Sequence, residues 1–119
     1  MYSAQLLDHF QNPRNAGDIS GADAAAEIEN PACGDVLRLT LKVSAGRIAD
    51  AQFKAKGCVA AIACGSVLTE LIMGKTLHEA GNLRREDVIA GVGGVPQAST
   101  HAAQLAIDAL KAALNRIRP

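Results

Sequence analysis

Four side chains of the kinds that bind transition metals are spread over three separate stretches of this 119-residue chain. Cys33 and Asp35 lie within Pro-Ala-Cys-Gly-Asp, Cys58 follows a glycine, and His101 lies near the start of the last predicted helix. Two sulfurs, one carboxylate oxygen and one imidazole nitrogen suit zinc or an iron–sulfur cluster. Because these residues do not form a CxxC array, residue types and spacing leave two interpretations open: a metal site, or buried and inert cysteines.

Three of these residues carry further expectations from their local sequence. Cys58 immediately precedes a predicted helix, where unpaired amide groups and the helix dipole favour an anion, so its thiolate is expected to form easily. Asp35 at a strand end can accept backbone hydrogen bonds, a role that is compatible with metal binding. His101 also fits a helix cap or a surface position.

A predicted β-hairpin explains how the two distant cysteines could meet. Apolar and polar residues alternate at 36–43 and again at 49–56, on either side of a Ser-Ala-Gly turn. Because the apolar faces of the two strands must coincide, Leu39 pairs either with Ala51, across a three-residue loop, or with Phe53, across a five-residue loop.

Both registers bring Cys33 and Cys58 to the same end of the hairpin. If the chain stays close beyond the strand ends, Cys58 lies opposite Ala32 or Gly34, and Cys33 is its neighbour in either case. Turn geometry alone therefore predicts that the two thiols converge.

Other elements are predicted around the hairpin from periodicity and capping signals. They are a short helix within 1–10, a strand at 24–29, and helices at 59–73, 76–81, 85–90 and from Ser99 or Thr100 to about Arg116. The glycine-rich stretch 91–96 is interpreted as a hinge.

The third cysteine and the other two histidines are assigned no chemistry. Cys64 lies six residues after Cys58, which on a helix is ~9 Å further along and ~120° around. Sulfurs that share a zinc ion lie ~3.8 Å apart, so Cys64 is predicted to pack in the core. His9 and His78 have polar neighbours and are predicted to be solvated.

The composition restricts the classes of partner. Twelve basic and twelve acidic residues cancel, which disfavours nucleic-acid binding, and only three aromatic side chains are available for base stacking. No apolar run approaches the ~20 residues of a membrane span, and no secretion signal is visible. A single domain over 1–119, soluble and cytoplasmic, is expected, and its odd number of cysteines fits reduced thiols or metal ligands better than disulfides.

Several motifs together resemble the IscU and NifU N-terminal scaffold family. They are Leu-Asp-His-Phe-Gln-Asn-Pro-Arg-Asn at 7–15, Pro-Ala-Cys-Gly-Asp at 31–35, Phe-Lys at 53–54, Gly-Cys at 57–58, Ala-Ala-Ile-Ala at 60–63 and Leu-Ala-Ile-Asp-Ala-Leu-Lys at 105–111. The resemblance implies an α+β fold with a three-stranded antiparallel sheet packed by helices. It also implies a scaffold or carrier, not an enzyme, on which a transient [2Fe–2S] cluster is built.

The resemblance extends to ligands and partners. It places the cluster on Cys33, Asp35, Cys58 and His101, the residues already singled out by type. Iron and sulfur from a cysteine desulfurase would supply the cluster, and acceptor proteins would receive it. The same ligands could hold zinc in the isolated protein, and the sequence leaves open whether zinc, iron or no metal is bound there.

Three departures from the family pattern affect these expectations. Relatives usually have a cysteine after the helix-start histidine, whereas this chain has Ala102, so its cluster is expected to be more labile. Cys64 stands where relatives commonly have serine, and a compensating role for it would require the helix start to unwind. The family's chaperone-recognition segment, Leu-Pro-Pro-Val-Lys, aligns only loosely with Val-Pro-Gln-Ala-Ser at 95–99.

Two other functions use the same residues. A zinc-bound acceptor could take persulfide sulfur from a desulfurase on Cys33 or Cys58. A thiol hydrolase could pair a cysteine with His101, although no substrate-pocket signature accompanies that pairing.

Overall fold

The alternating segments of the sequence form one antiparallel sheet, with strand order β1-β2-β3, in the computed structural model, which describes residues 1–117. The strands are β1 (Ala24–Glu29), β2 (Val36–Ser44) and β3 (Arg47–Lys56). The helices are α1 (Ala4–Gln11), α2 (Val59–Ile72), α3 (Leu77–Gly81), α4 (Arg85–Gly91) and α5 (Thr100–Leu114), with a 3-10 turn at Gln97–Ser99. The expected α+β fold with a three-stranded antiparallel sheet is confirmed.

The register between β2 and β3 is one of the two predicted. Leu39 lies opposite Phe53, and the same spacing continues to the pair of Val36 and Lys56 at the far end. Extended past the strand ends, this register puts Cys58 opposite Gly34. The hairpin therefore brings the loop that carries Cys33 to the start of α2.

The turn of this hairpin differs from the prediction. After the pair of Lys42 and Asp50 the register shifts by one residue, because a β-bulge places Val43 opposite Ile48. The loop shortens to Ala45 and Gly46, whose φ values of 53° and 74° are those of a tight hairpin turn. The alternation at 49–56 predicts that Ala49 shares the core-facing side with Ala51 and Phe53. This prediction is wrong, because the bulge exposes Ala49 and buries Ile48 instead.

The core lies between one face of the sheet and the helices α2 and α5. It is built from inward-facing strand residues together with small and aliphatic helix residues, including Leu37, Leu39, Leu41, Ala51, Phe53, Ala61, Leu68, Ala106 and Leu110. α2 packs on β3, and α5 packs on β1 and β2. The abundant alanine allows helices and sheet to approach closely, so a core poor in aromatic residues still closes.

The N-terminal helix is attached to α2 through polar groups. Nδ1 of His9 lies 2.8 Å from Oγ of Ser66, and the backbone N–H of Arg14 donates to the same oxygen at 2.8 Å. His9 is only 7% exposed, so the prediction that it is solvated is wrong: the buried hydroxyl of Ser66 on α2 needs polar partners, and the imidazole supplies one. His78 is exposed, as predicted.

The predicted helix boundaries hold to within a few residues. Thr76 begins α3 with the expected capping box, and α2 ends just before Gly74, which has a φ of 84°. The start of α5 differs, because the Ser99 side chain makes no capping hydrogen bond and the Thr100 hydroxyl donates back to Gln97 O at 2.9 Å. Among the helices at 1–117, none combines the length and the apolar character that crossing a membrane requires.

Candidate metal centre

Cys33 is presented on the loop that connects β1 to β2. The loop is closed by two backbone hydrogen bonds of 2.7 Å, from Gly34 N–H to Asn30 O and from Asn30 N–H to Asp35 O. Gly34 has a φ of 77°, which a glycine adopts without strain. The thiol of Cys33 is exposed as a result, while the carboxylate of Asp35 turns inward and is only 5% exposed.

Asp35 lies at the centre of the site and contacts the start of α2. Its Oδ1 accepts a hydrogen bond from Cys58 N–H at 3.2 Å, and its Oδ2 lies 3.2 Å from Cys58 Sγ. Gly57 makes this contact possible: its φ is 145°, and a Cβ atom there would overlap Asp35 Oδ1. The strand-end carboxylate thus accepts a backbone hydrogen bond, as predicted, while its second oxygen faces the thiol.

His101 approaches the same carboxylate from the start of α5. Its Nδ1 lies 3.1 Å from Ala98 O, and because a carbonyl only accepts, Nδ1 carries the hydrogen. A ring of this tautomer has its lone pair on Nε2, which lies 3.6 Å from Asp35 Oδ2. This leaves Nε2 as the nitrogen available to a metal ion.

Three of the four predicted residues form a compact set of donor atoms. One sulfur, oxygen or nitrogen atom from each of Cys33, Asp35 and His101 lies within 4.8 Å of the other two. Ligands of a tetrahedral zinc ion lie roughly 3.3–3.8 Å apart, so binding needs an inward movement of about 1 Å, which the exposed loop of Cys33 permits. Cys58 lies outside this set but adjoins it through its contact with Asp35 Oδ2.

The electrostatics at Cys58 contradict one prediction. Burial raises the pKa of the Cys58 thiol, and the carboxylate of Asp35 raises it further, although the amide of Ala61 acts in the opposite direction. The expectation of an easily formed thiolate is wrong for the metal-free protein, because the neighbouring carboxylate and the loss of solvent outweigh the helix start. A cation at this site would reverse that balance, since it favours the thiolate.

Asp35 itself is held in the ionised form. Burial acts to raise its pKa, but hydrogen bonds from the Cys58 thiol and amide, and from the Cys33 thiol, outweigh burial and lower the pKa. This ionised carboxylate lies 3.2 Å from the Cys58 thiol and within 4.8 Å of the Cys33 donor atom, so a cation bound here would replace thiol protons.

The remaining cysteine lies in the core, as predicted. Cys64 is fully buried on α2, and burial raises the pKa of its thiol to about 12. Ala102 is also buried, at 1% exposure, one residue after His101. Two features of the site escaped the sequence reasoning: the carbonyl of Ala98, which has no side-chain signal, and the close approach of Gly57 to Asp35, which only a predicted register could have indicated.

Comparison with known proteins gives a consistent result. The family "NifU-like N terminal domain" matches residues 1–118. The iron-sulfur cluster assembly scaffold protein IscU 1 of Archaeoglobus fulgidus is 46% identical over 114 residues, which are 96% of this chain and 74% of that protein. The Haemophilus influenzae protein of the same description, IscU, is 41% identical over 95% of this chain and 92% of its own.

Two further similarities concern a eukaryotic relative and a solved structure. The iron-sulfur cluster assembly enzyme IscU of Drosophila melanogaster is 41% identical over 96% of this chain and 76% of that protein. The crystal structure of an N-terminal NifU-like protein from Brucella abortus superposes with a TM-score of 0.76 and 21% identity, over 97% of this chain and 92% of that chain. At that identity the second similarity supports the fold alone.

Proposed function

This chain belongs to the family of NifU-like N-terminal domains, and from that membership we propose that it is a scaffold for iron–sulfur cluster assembly. The relatives that share 40–46% of its sequence are described as cluster assembly proteins, most of them as scaffolds. These descriptions do not favour the alternative of a zinc-bound sulfur acceptor. A scaffold requires a source of sulfur and acceptors for the finished cluster.

The observation that carries the proposal is the convergence of donor atoms from three elements. The β1–β2 loop, the start of α2 and the start of α5 each contribute, and they meet at Asp35, which is within hydrogen-bond distance of Cys58 Sγ and 3.6 Å from His101 Nε2. Cys33 completes the set from the exposed side. We propose that these four residues hold the cluster as cargo.

The number and spread of the donors favour two iron ions over one. Four donors supply two ligands to each iron of a [2Fe–2S] cluster. Cys58 lies outside the compact set formed by the other three residues, as expected when the ligands bind two metal ions. The proposed cargo is therefore a [2Fe–2S] cluster, with zinc as an occupant of the isolated protein.

Exposure and ligand type make the proposed binding transient. The Cys33 side is open to solvent, and only two of the four ligands are thiolates, which bind iron in these clusters more firmly than imidazole or carboxylate does. We propose that a cysteine desulfurase supplies the sulfur and that the open side passes the cluster to acceptor proteins. Because the chain acts on no substrate of its own in this scheme, it is a carrier and not an enzyme.

The proposed location is the cytoplasm. All three cysteines are free thiols, with Cys33 exposed, and such thiols persist in reducing compartments.

Anaerobic reconstitution with ferric iron, sulfide and a thiol reductant that keeps the cysteines reduced tests the proposal. The wild-type protein should develop the visible charge-transfer absorption of a [2Fe–2S] cluster, and both Cys33→Ala and Cys58→Ala should abolish it. Cys64→Ser is the matched control, because it removes a thiol from the core, and its cluster yield should equal that of wild type. Tight zinc binding without a stable cluster, or full cluster yield in Cys58→Ala, would contradict the scaffold.

A further inference from the structure

The outer edge of β3 is covered by other parts of the chain along most of its length. Residues 74–75 exchange two backbone hydrogen bonds of 2.8 and 2.9 Å with Ile48, and residues 15–17 exchange two of 3.0 and 2.8 Å with Phe53. Between these positions, the N–H of Ala51 donates to the carboxylate of the preceding residue at 2.9 Å. The chain thus satisfies each outward-facing amide of this strand up to Phe53.

Ala55 is the next residue whose main chain faces this edge. Because backbone direction alternates along a strand, the N–H and C=O of Ala55 point the same way as those of Phe53, away from β2. No hydrogen bond within residues 1–117 joins these two groups to the rest of the chain. The covering segment has left the edge by then, since Asp18 lies against Arg38 at 3.0 Å. An uncovered strand edge is a template for another strand.

Two depressions flank Ala55, one on each face of the sheet. The first, of about 540 Å³, lies between the edge and α2 and is lined mainly by apolar side chains: Pro13, Ala16, Phe53, Ala55 and Ile62. The second, of about 350 Å³, lies on the opposite face and is lined by Glu27, Val36, Arg38, Lys54, Ala55 and Lys56. An added strand would project alternate side chains into these two depressions.

The second depression carries a surplus of positive charge. Lys54 lies directly opposite Arg38 in the register, and Lys56 is two residues further on the same face. Glu27 faces Arg38 from β1, but among the described residues neither lysine takes part in a salt bridge. Asp18 already neutralises Arg38 at 3.0 Å, so the positive charges left unpaired here are those of Lys54 and Lys56, and an acidic partner would be attracted to these two lysines.

We propose that the β3 edge at Ala55 binds an extended segment of a partner protein in which apolar and acidic residues alternate. The backbone of that segment pairs with the N–H and C=O of Ala55, its apolar side chain enters the groove beside Ile62, and its flanking carboxylates lie over Lys54 and Lys56. Cys58 follows three residues after Ala55, so the docked partner lies beside the candidate metal centre. The inference adds a docking surface to the proposed scaffold and does not depend on a bound cluster.

Titration of the metal-free, full-length protein with a peptide tests this surface. The probe is a fluorescently labelled, end-blocked heptapeptide of alternating glutamate and valine, followed by anisotropy and by the amide shifts of ¹⁵N-labelled protein. The largest shifts should fall at residues 54–56. Ala55→Pro removes the edge N–H without removing a bond to β2, and it should weaken binding about tenfold, which corresponds to one lost hydrogen bond. Ala55→Ser keeps the N–H and should bind within about twofold of wild type.

Reversing the charge of the two lysines tests the docking surface independently of the backbone hydrogen bonds. The double variant Lys54→Glu/Lys56→Glu should bind the glutamate–valine peptide more weakly than wild type does and a lysine–valine peptide more tightly. Lys111→Glu on α5 should bind both peptides as wild type does. A peptide methylated at its central backbone amide should bind wild type more weakly than its parent, and this measurement stands even if Ala55→Pro does not fold.

Three results would overturn the inference. They are a folded Ala55→Pro variant that binds the glutamate–valine peptide as tightly as wild type, a wild-type protein that binds the glutamate–valine and lysine–valine peptides equally, and amide shifts centred on the His101 side of the molecule. None of these results bears on cluster reconstitution with iron and sulfide. The peptide titration therefore tests the docking surface, and the reconstitution tests the scaffold.

Discussion

At the scale of single residues, the site depends on one carboxylate that serves two purposes. Asp35 accepts hydrogen bonds from the Cys58 amide and thiol, which fixes the geometry of the metal-free site. The same contact raises the pKa of Cys58, after burial, and so keeps that sulfur protonated until a cation arrives. We therefore expect the proposed metal binding to release protons and its affinity to increase with pH.

Gly57→Ala tests how closely the metal centre depends on the position of Asp35. The added Cβ would overlap Asp35 Oδ1, and the φ of 145° would strain any other residue. We expect a loss of about 1–3 kcal/mol in the free energy of unfolding and at least about tenfold weaker zinc binding, measured by chelator competition. Gly21→Ala is the control, because Gly21 has a φ of 69° but open space around its Cβ position. That variant should lose stability only, and equal zinc affinities in both variants would show that Asp35 can move freely.

Ala102→Cys tests whether the protein lacks a third thiolate ligand. Ala102 is buried next to His101, and a sulfur there would add a soft ligand for iron. We expect the lifetime of the reconstituted cluster to increase about tenfold, which is ~1.4 kcal/mol in the barrier to its loss. Ala112→Cys, near the other end of α5, should leave the lifetime unchanged. An unchanged lifetime in Ala102→Cys would show that position 102 faces away from the cluster.

At the scale of secondary-structure elements, the sequence contained most of what determines the fold. Alternation in β2 and β3 predicted the hairpin, and the requirement for coincident apolar faces limited its register to two choices, one of which is observed. The bulge between Lys42 and Val43 was not predictable from alternation, because Ala49 and Ile48 are both apolar and either can satisfy the pattern. His9 was misassigned for a related reason: its polar neighbours in sequence do not reveal the buried hydroxyl of Ser66 on another helix.

In the candidate site, too, the sequence predicted features that depend on local patterns and missed those that depend on contacts between residues distant in sequence. Residue types and register predicted that Cys33, Asp35 and Cys58 would meet at one end of the hairpin. The lower acidity of Cys58 was not predicted, because it arises from burial and from a carboxylate that is distant in sequence. Local sequence therefore indicated which groups converge, but not the protonation states that their convergence imposes.

Gly65→Ala tests the close packing of α2 on the sheet. A Cβ at position 65 would lie 2.6 Å from Phe53 Cδ2 and 2.8 Å from Leu37 Cδ1, both in the fully packed core. Overpacking of this kind costs about 1–3 kcal/mol, which exceeds the gain of about 1 kcal/mol from replacing glycine within a helix. We expect a lower urea midpoint for Gly65→Ala. Gly81→Ala, whose Cβ would have only Leu114 Cδ1 near it at 3.8 Å, should be as stable as wild type or slightly more so, and a stabilised Gly65→Ala would contradict the packing.

At the scale of the whole molecule, the chain places its chemistry and its stabilising polar contacts at separate locations. The candidate metal centre lies where the β1–β2 loop meets the start of α2 and the start of α5. Helix α1 is attached further along α2, through His9, Ser66 and the backbone of Arg14. Stability and metal binding can therefore respond to pH through different groups. His9 offers a way to separate the two, because it is a buried titratable residue with no donor atom in the metal centre.

The pH dependence of unfolding should carry the signature of His9. Burial lowers the pKa of His9 below its usual value of 6.5, and Arg14 lowers it further, while Glu70 and Asp8 act in the opposite direction. The unfolded chain therefore binds this proton more readily than the folded protein does, so stability is fully present above about pH 6.5 and declines as the pH falls toward the folded-state pKa.

In His9→Gln this decline should be smaller than in wild type, as measured by urea unfolding of the metal-free protein between about pH 5 and 7.5. His78→Gln, at an exposed position on α3, should follow the wild-type curve. If His9→Gln retained the full decline, the loss of stability at low pH would have to arise elsewhere, and the imidazole would act between α1 and α2 only as a neutral hydrogen-bonding group.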